Sequence, residues 1–373
     1  MTIFYVNPNS YNNLSVYDYS LVQNIHSETY FFGSTNYDFR QFSKAKVNLI
    51  YTYNRYNNKY LKSFFYAVNT LKLLWYIFTI RPDIIHIQWL KLPYFDIIWL
   101  NFIKLFIKKS KIVYTAHNIL PHDSGKRYYN IFKYIYFLVN GIIVHSQYTY
   151  NELINDFNID TIKVRVIEHG ILDFDISQSK LDHIIHKLKE ELKIRNDETV
   201  FLAIGKVSYY KGYDLLIRAW SQSDYLCNSR KTRLIIAGKG NISNINNIHL
   251  PNNINIVNKF LSNEEFMGLI IISDIIVFPY RQISQSGVLA TVINYERFLI
   301  VSKSGGLPDI FKIGNVGTTF NSLRIIDIEK KIIEVLENKR IPKQEEWKKI
   351  REYFSFKRIA KKTELFYTEL INS

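Results

Sequence analysis

A chain of 373 residues is longer than one domain of ordinary size, so we expect two domains. Its composition, 47% hydrophobic and 22% charged, is that of a soluble globular protein with an ample core. The single cysteine, Cys227, excludes an internal disulfide and is typical of a reducing compartment.

Short apolar runs alternate with helical patterns from end to end, and each run predicts a strand. In chain order these strands are Ile3–Val6, Val47–Tyr51, Ile84–Ile87, Lys111–Thr115, Gly141–His145, Val164–Ile167, Val200–Ile204, Arg233–Ala237, Ile254–Val257, Ile275–Phe278, Leu299–Val301 and Thr318–Phe320. Predicted helices between them include Tyr60–Thr79, Tyr94–Lys108, Asp214–Trp220 and Asn263–Ile272. Two series of apolar strands separated by helices indicate an α/β chain with two doubly wound parallel sheets.

The polar stretch at residues 170–198 separates the two series. We therefore predict a first domain at residues 1–172 and a second at 173–351, with an amphipathic C-terminal helix at about 352–373.

The net charge of +15 is locally concentrated. A basic patch is predicted at Lys104, Lys108, Lys109, Lys111, Lys126 and Arg127, interleaved with aromatic residues. Such a patch suits an anionic membrane or a lipid-linked acceptor, and plain solubility is the alternative. Nucleic acid is disfavoured because no recognition motif accompanies the charge.

The start of the chain, "MTIFYVNPNS", lacks a basic leader and proceeds directly into a strand pattern. We count no apolar run of the ~20 residues that a membrane-spanning helix needs. A cytoplasmic protein is the expectation.

Polar residues directly after strands are the candidate ligand contacts, because open parallel sheets bind ligands beyond the carboxyl ends of their strands. Lys206 and Lys211 follow Val200–Ile204, and two lysines at a strand end suit a diphosphate; a solvated loop is the alternative. The turn Ser284–Gly287 leads from a strand into a helix, where free N–H groups favour an anion. "GKG" at 238–240 is read as a turn. Lys259, Phe260 and Leu261 either meet a planar base or form an ordinary loop.

His117 follows the strand Lys111–Thr115, with Asn118, His122 and Asp123 nearby. The five-residue spacing of the two histidines around a proline is poor for a metal site, so a single histidine that hydrogen-bonds substrate is favoured. His86, His145 and His169 lie in or after other strands, as wall residues or ligand contacts.

In chain order the segments "DIIHIQW", "TAHNILPHD", "GIIVHSQYT", "VIEHGI", "GKVSYYKGYDLLIRAW", "LIIAGKG", "SDIIVFPY", "QSGVLA" and "LIVSKSGGLPD" run through nearly the whole chain. With these motifs the sequence resembles the family 4 retaining glycosyltransferases, which have the GT-B fold. The resemblance implies two Rossmann-like domains facing a cleft, a nucleotide-sugar donor held by the second domain, an acceptor held by the first, and a final helix that crosses back to the first.

The resemblance also implies residue roles. Lys206 and Lys211 would hold the donor diphosphate, under the turn formed by Ser286, Gly287 and Val288. His117 would contact the donor sugar, with Asn7–Ser10 beside the donor. One departure is that relatives commonly carry two glutamates where this chain has Ser284 and Val292. A branch with a Ser-Gly-Val turn is similar. We expect Ser284, Gln285 and Asn118 to meet the sugar, and Glu296 to point elsewhere.

These observations predict a retaining hexosyltransferase that needs no metal or other cofactor and takes a UDP- or GDP-type donor. The predicted acceptor is a glycan, lipid-linked through polyprenyl diphosphate, in assembly of a bacterial surface polysaccharide such as capsule or O-antigen. The predicted location is the inner face of the cell membrane, as a peripheral protein. The alternatives are an epimerase-like enzyme on the same fold and a degenerate donor-binding subunit.

Overall fold

Two parallel sheets organise the chain. The computed structural model describes residues 1–120, 125–241, 248–283, 286–338 and 341–373; of Gly125 and Lys126 only the backbone is described. The described residues form two compact units, Met1–Leu172 with Phe354–Ser373, and Asp173–Tyr353.

The sheet of the first unit has seven parallel strands in the order β3-β2-β1-β4-β5-β6-β7. They are β1 Thr2–Asn7, β2 Glu28–Ser34, β3 Lys46–Tyr51, β4 Ile84–Ile87, β5 Lys111–Thr115, β6 Gly141–Val144 and β7 Val164–Val166. The helices are α1 Asn13–Asn24, α2 Lys59–Ile80, α3 Pro93–Phe106, α4 Tyr129–Leu138 and α5 Gln147–Asn155. The strands β4 and β6 are buried along their whole length, as expected of a sheet covered on both faces.

The sequence prediction missed β2, which lies between β1 and β3. Its central residues Tyr30–Phe32 are aromatic, but Gly33 and the polar ends leave a short run that we did not read as a strand. The six strands that were predicted for this unit are present, with ends that differ by one residue or so.

The sheet of the second unit has six parallel strands in the order β10-β9-β8-β11-β12-β13. They are β8 Thr199–Ile204, β9 Thr232–Ala237, β10 Ile254–Val257, β11 Ile275–Phe278, β12 Phe298–Val301 and β13 Gly317–Thr319. The helices are α6 Gln178–Glu191, α7 Tyr213–Gln222, α8 Asp224–Cys227, α9 Asn263–Ile272, α10 Gly287–Val292, α11 Ile325–Asn338 and α12 Gln344–Tyr353. Helix α9 begins with a capping box formed by Ser262 and Glu265.

The last helix, α13 (Phe356–Asn372), belongs to the first unit. Its Glu364 carboxylate accepts hydrogen bonds from the backbone N–H and the hydroxyl of Ser27, at 2.9 and 2.7 Å. Its Tyr367 is buried and lies 2.5 Å from His86 Nδ1. These contacts tie the C-terminus to β2 and β4, as the GT-B resemblance implied.

The helix α2 corrects one sequence expectation. Among the described residues it is the helix that has the length and apolar composition to cross a membrane. We overlooked it because Lys62 and Lys72 interrupt its apolar runs, although its average hydropathy stays high. In the structure it packs on the sheet through Tyr66, Leu73 and Ile77, and much of the rest of its surface is open.

Candidate functional site

Each sheet has a point at which the direction of strand order reverses, between β1 and β4 in the first unit and between β8 and β11 in the second. Loops that leave these neighbouring strands diverge to opposite sides and open a crevice at the carboxyl edge, which is where doubly wound sheets bind ligands. The predicted site residues cluster at both edges.

In the second unit, glycines let the loops after β8, β9 and β11 approach each other closely. Gly205 and Gly212 have positive φ angles of 122° and 67°. A Cβ at Gly212 would lie 2.0 Å from the Pro279 carbonyl oxygen, and one at Gly238 would lie 2.1 Å from that of Gly205. A side chain at any of these positions would push the loops apart. The "GKG" segment at 238–240 is therefore a turn that packs against the loop after β8.

Lys211 is the buried cation of this edge. It is only 5% exposed, and its Nζ lies 3.8 Å from the centroid of the Tyr280 ring. No carboxylate pairs with it within the described part of the unit, and burial lowers the pKa of its ammonium to about 7. A desolvated lysine with only an aromatic face beside it gains strongly from an anion.

An ion pair fixes the loop that carries Lys211. Arg281 donates from Nη1 and Nη2 to the two Asp214 oxygens, both at 2.7 Å, and Nη1 also donates to the Tyr209 carbonyl. Such a two-point contact fixes both the distance between the two side chains and their relative orientation. It joins the loop after β11 to the start of α7 and leaves the Asp214 carboxylate unavailable to Lys211.

The turn before α10 reaches the same place. Ser286 is the N-cap, and its hydroxyl accepts a hydrogen bond from the Leu289 N–H at 3.3 Å. A Cβ built on Gly287 meets nothing within 4 Å, so there is open space above this residue. Val288 lies 3.2 Å from the Cβ position of Gly205, which brings the turn against the loop after β8. Ser284 and Gln285, predicted to meet the sugar, lie outside the described residues.

Other predicted donor contacts differ in availability. Lys206 is exposed, whereas the ammonium of Lys259 donates to Glu265 Oε1 at 2.6 Å. Phe260 is 79% exposed and Leu261 is half-buried, so the aromatic ring is accessible to a planar ligand.

Of the two positions where relatives commonly carry glutamates, Val292 is described, and Glu296 lies a further turn along the chain. Val292 is fully buried in α10 and cannot contact a ligand. Glu296 forms an ion pair with Arg351 and accepts a hydrogen bond from Gln344 Nε2 at 2.7 Å. Glu296 is therefore committed to α12, as the sequence analysis expected.

In the first unit His117 lies within a chain of polar side chains. Its Nε2 is 2.9 Å from Gln88 Oε1, and its Nδ1 is 3.2 Å from His145 Nε2. The Trp89 ring stacks on it at 5.1 Å with an angle of 3°. His145 Nδ1 in turn donates to the Ile167 carbonyl at 2.8 Å. Each imidazole nitrogen thus faces a polar group, and the single N–H of a neutral His117 ring can donate to one of the two, Gln88 Oε1 or His145 Nε2.

Burial and neighbouring imidazoles keep this cluster neutral. Desolvation lowers the pKa of His117 well below its usual value, that of His86 to about 3 and that of His145 to about 4. A neutral His117 is not a general acid near pH 7; it is a hydrogen-bonding group of fixed orientation. His86 is a wall residue inside β4, with Nε2 2.6 Å from the Thr115 hydroxyl.

The loop Asn7–Ser10 is buried beside this cluster. Asn7 Nδ2 donates to Asp18 at 2.7 Å, and Asn9 accepts from the Tyr53 hydroxyl at 2.5 Å. Burial, only partly offset by hydrogen bonds, raises the pKa of Asp18 to about 7. Asn118, next to His117, is half-buried. His122 and Asp123 lie outside the described residues, and no group of three metal-binding side chains occurs in the part that is described.

The predicted basic patch does not form one cluster. Lys104, Lys108 and Lys109 lie at or after the C-terminal end of α3, whereas Arg127 precedes α4. Both helices run against the strand direction, so these groups lie at opposite edges of the sheet, a helix length of ~15 Å or more apart. Lys111 begins β5 at the same edge as Lys104, and the Lys126 side chain is not described.

Sequence reasoning missed several residues that build the site: Gln88, Trp89, Tyr280 and Arg281. All four follow the carboxyl end of a strand, at β4 or β11, which is a usable signal. Gln88, Trp89 and Tyr280 carry no charge that would mark them as ligand contacts, and the sequence does not show that Arg281 pairs with Asp214.

Solved structures define the class of fold. Sucrose-phosphate synthase from Thermosynechococcus elongatus is similar over 100% of this chain and 99% of its own, with a TM-score of 0.72 at 13% identity. HepE of Anabaena in complex with UDP is similar over 100% and 99%, with a TM-score of 0.64 at 15% identity. A glycosyltransferase from Rickettsia africae is similar over 99% and 98%, with a TM-score of 0.62 at 17% identity. The chain has the GT-B fold.

Family comparisons then identify the chain. Residues 19–172 match the family described as Glycosyltransferase Family 4, and residues 185–353 match Glycosyl transferases group 1. The chain is a glycosyltransferase of this group 1, family 4 type. An uncharacterized glycosyltransferase of Methanocaldococcus jannaschii is 31% identical over 103 residues, which are 27% of this chain and 25% of that relative. The match thus spans a quarter of the length of that curated relative.

Proposed function

We propose that this protein is a retaining hexosyltransferase that moves a sugar from a nucleotide-diphosphate donor to an acceptor hydroxyl. The observation that carries the proposal is Lys211: a buried ammonium without a carboxylate partner among the described residues, beside the glycine turns after β8 and the start of α10. A diphosphate would supply the missing negative charge.

Charge neutralisation is the main requirement when a diphosphate leaves. Lys211 and Lys206 would provide two positive charges, and the backbone N–H groups of Gly287 and Val288 would donate hydrogen bonds. We propose that these groups do this work without a metal ion. The exposed ring of Phe260 is placed after β10, where a nucleoside base can stack. HepE of Anabaena, which shares the fold, was solved with UDP and with UDP-glucose, which favours a UDP donor here.

His117 is proposed to hold the donor sugar near the reacting carbon. Its ring is neutral and held in one orientation, so it would act by position and hydrogen bonding rather than by proton transfer. A sugar hydroxyl would take the place of the Gln88 amide oxygen at Nε2. Asn118, Ser284 and Gln285 are proposed to complete the sugar contacts.

We further propose a lipid-linked glycan acceptor bound by the first unit, and a role in bacterial surface polysaccharide such as capsule or O-antigen. The resemblance of the motifs to the branch with a Ser-Gly-Val turn supports a retaining mechanism without the usual glutamate pair.

A two-stage experiment tests the proposal. A thermal-shift screen across UDP-, GDP- and dTDP-sugars should raise the unfolding temperature for one nucleotide class. That donor, incubated with polyprenyl-diphosphate-linked acceptors, should give a product heavier by one hexose in mass spectrometry, with the donor's anomeric configuration by NMR.

The missing glutamates favour a second candidate, a degenerate donor-binding subunit. Donor binding without transfer to any acceptor would support that candidate. Conversion of the donor sugar without an acceptor would instead indicate an epimerase-like enzyme. Absence of nucleotide binding in the screen would contradict all three.

A further inference from the structure

Three neighbouring helices of the first unit each expose large apolar side chains, which together form a row. We define the α2–α4 face by Leu71 and Trp75 of α2, Ile98, Phe102 and Leu105 of α3, and Phe137 of α4. Four of these, Leu71, Trp75, Ile98 and Leu105, are between 61% and 66% exposed. Single exposed apolar residues are ordinary, but a cluster on adjacent helices marks an interaction surface.

The topology places these helices on one side of the sheet. Each of α2, α3 and α4 leads rightwards along the strand order, from β3 to β4, β4 to β5 and β5 to β6. Right-handed crossovers in one direction put their helices on the same face. Direct contacts agree: the Phe78 and Phe102 rings are 5.3 Å apart, and the Lys104 ammonium donates to the Leu138 carbonyl at 3.0 Å.

The inner sides of these helices are fully engaged in the unit. The Tyr66 hydroxyl donates to Asp96 at 2.8 Å, and the Thr52 N–H donates to Asn69 at 2.9 Å. If α2 crossed a membrane as a separate helix, it would leave both contacts behind and bury Asn69 in hydrocarbon. The apolar side of α2 is therefore exposed while α2 stays packed on the sheet. This favours a surface that lies on a membrane over a helix that crosses it.

The exposed charged residues of α2, α3 and α4 have one sign. Within these three helices the acidic residue is Asp96, which is fully buried and accepts from Tyr66, Trp99 and the Leu92 N–H. Basic residues lie at both ends of the apolar row. Lys59 and Arg127 lie at one end, and Lys108 and Lys109 lie at the other. An apolar centre on helices that carry no exposed carboxylate, with basic residues at both ends, complements anionic lipid.

We propose that the α2–α4 face docks the protein on an anionic bilayer, with the three helices lying in the plane of the membrane surface. The apolar side chains would enter the headgroup boundary, and the lysines at both ends would meet lipid phosphates. The biological meaning of this surface rests on the lipid-linked acceptor proposed above. Vesicle binding itself needs neither donor nor acceptor, so the two proposals fail separately.

The test is flotation of the full-length protein with vesicles of phosphatidylcholine alone and with 30% phosphatidylglycerol, a composition chosen as a roughly physiological anionic surface. The wild type should float with the anionic vesicles and far less with the neutral ones. The triple variant Leu71→Glu, Ile98→Glu and Leu105→Glu should lose vesicle partitioning by roughly tenfold or more.

The matched control places the same three charges on exposed apolar residues of the second unit, as Tyr225→Glu, Ile326→Glu and Ile341→Glu. It should bind vesicles like the wild type. The single variants Leu71→Glu and Ile98→Glu serve if the triple variant does not fold, and each should lose a part of the partitioning.

An equal loss of vesicle binding in the control variant would overturn the proposal. Equal binding of the wild type to anionic and neutral vesicles would also overturn it. So would a wild type that fails to float but sediments as a dimer dissolved by the triple variant, because the face would then be an interface between two copies.

Discussion

The carboxyl edges of the two sheets differ in how the central side chain of each is paired. In the second unit, Lys211 is buried without a carboxylate partner among the described residues, and an aromatic ring is its nearest charge-stabilising neighbour. In the first unit, His117 has partners on both nitrogens and a stacked indole. One edge keeps a charge unpaired, whereas the other surrounds a neutral side chain with polar and aromatic neighbours.

The difference indicates a division of labour. An unpaired buried cation gains most when an anion arrives, so the second unit would supply affinity for the donor. A neutral histidine held from three sides contributes little to affinity for a charged group, but it presents a defined shape and hydrogen bond to a reacting sugar. The predictions below test this contrast.

The largest effect on the rate of sugar transfer is expected for His117→Ala. Sugar transfer should fall roughly 100-fold, since a misplaced donor sugar reacts slowly, while the affinity for UDP should stay within about threefold of the wild type. Steady-state transfer rates and calorimetric titration measure the two quantities, and a melting curve checks the fold. A parallel loss of rate and UDP affinity would break the contrast between the two units.

The affinity for UDP-glucose should depend on pH through Lys211. Its pKa of about 7 in the free protein means that the ammonium is mostly neutral at pH 8.5 and must take up a proton when the diphosphate binds. Affinity should therefore weaken by roughly tenfold between pH 6.5 and 8.5, a range in which the diphosphate diester keeps its charge. In Lys211→Arg, whose guanidinium stays charged, the affinity should be flat with pH. An equal slope in that variant would place the titrating group elsewhere.

Acid should destabilise the histidine cluster. The folded pKa values of His86 and His145, about 3 and about 4, lie below that of an unfolded histidine, so the unfolded chain binds more protons below about pH 6.5. Their stabilising contribution is present above pH 6.5 and is lost as the pH falls toward 4. Asp18 opposes this, because its raised folded pKa of about 7 favours the folded state as it becomes protonated.

His117 and His169 also have lowered pKa values and add to the loss, so the free energy of unfolding should fall by roughly 1 kcal/mol or more between pH 7 and pH 5, measured by denaturant titration. His145→Gln keeps a donor for the Ile167 carbonyl and removes one titrating ring, so its pH dependence should be shallower. A steeper dependence in that variant would contradict neutral, buried histidines.

The smallest effect is expected for Lys259→Ala. The Lys259 ammonium is exposed and already paired with Glu265, so donor affinity should change less than about threefold. Phe260→Ala, next to it, should weaken UDP binding more, by roughly fivefold to tenfold, if a base stacks on that ring. Calorimetric titration of UDP into both variants distinguishes the contribution of the Phe260 ring to the affinity from that of the Lys259 charge.

Much of the architecture was predictable because buried parallel strands are apolar throughout. Strands such as Ile84–Ile87 and Ile275–Phe278 match the structure residue for residue. The strand Glu28–Ser34 was missed because its glycine and polar ends break the pattern. The exposed apolar side of Lys59–Ile80 was also missed, because periodicity shows which residues share a side of a helix but not whether that side is covered.

The site was predictable in kind but not in its pairings. The position of Lys211 after a strand indicated a ligand contact, yet its burial against Tyr280 depends on a loop that is distant in sequence. The Arg281–Asp214 pair likewise joins residues 67 positions apart. His117 was predicted as a histidine that hydrogen-bonds substrate, and only the fold brings Gln88 and His145 next to its two nitrogens.

The central claim is that the second unit holds a nucleotide diphosphate through Lys211, and calorimetric titration of UDP into Lys211→Ala tests it most directly. We predict an affinity roughly 100-fold weaker than that of the wild type, the loss expected when a charge-assisted contact to a buried group is removed. Lys206→Ala, an exposed lysine of the same loop, should lose only about threefold. UDP affinity in Lys211→Ala equal to that of the wild type would contradict the account.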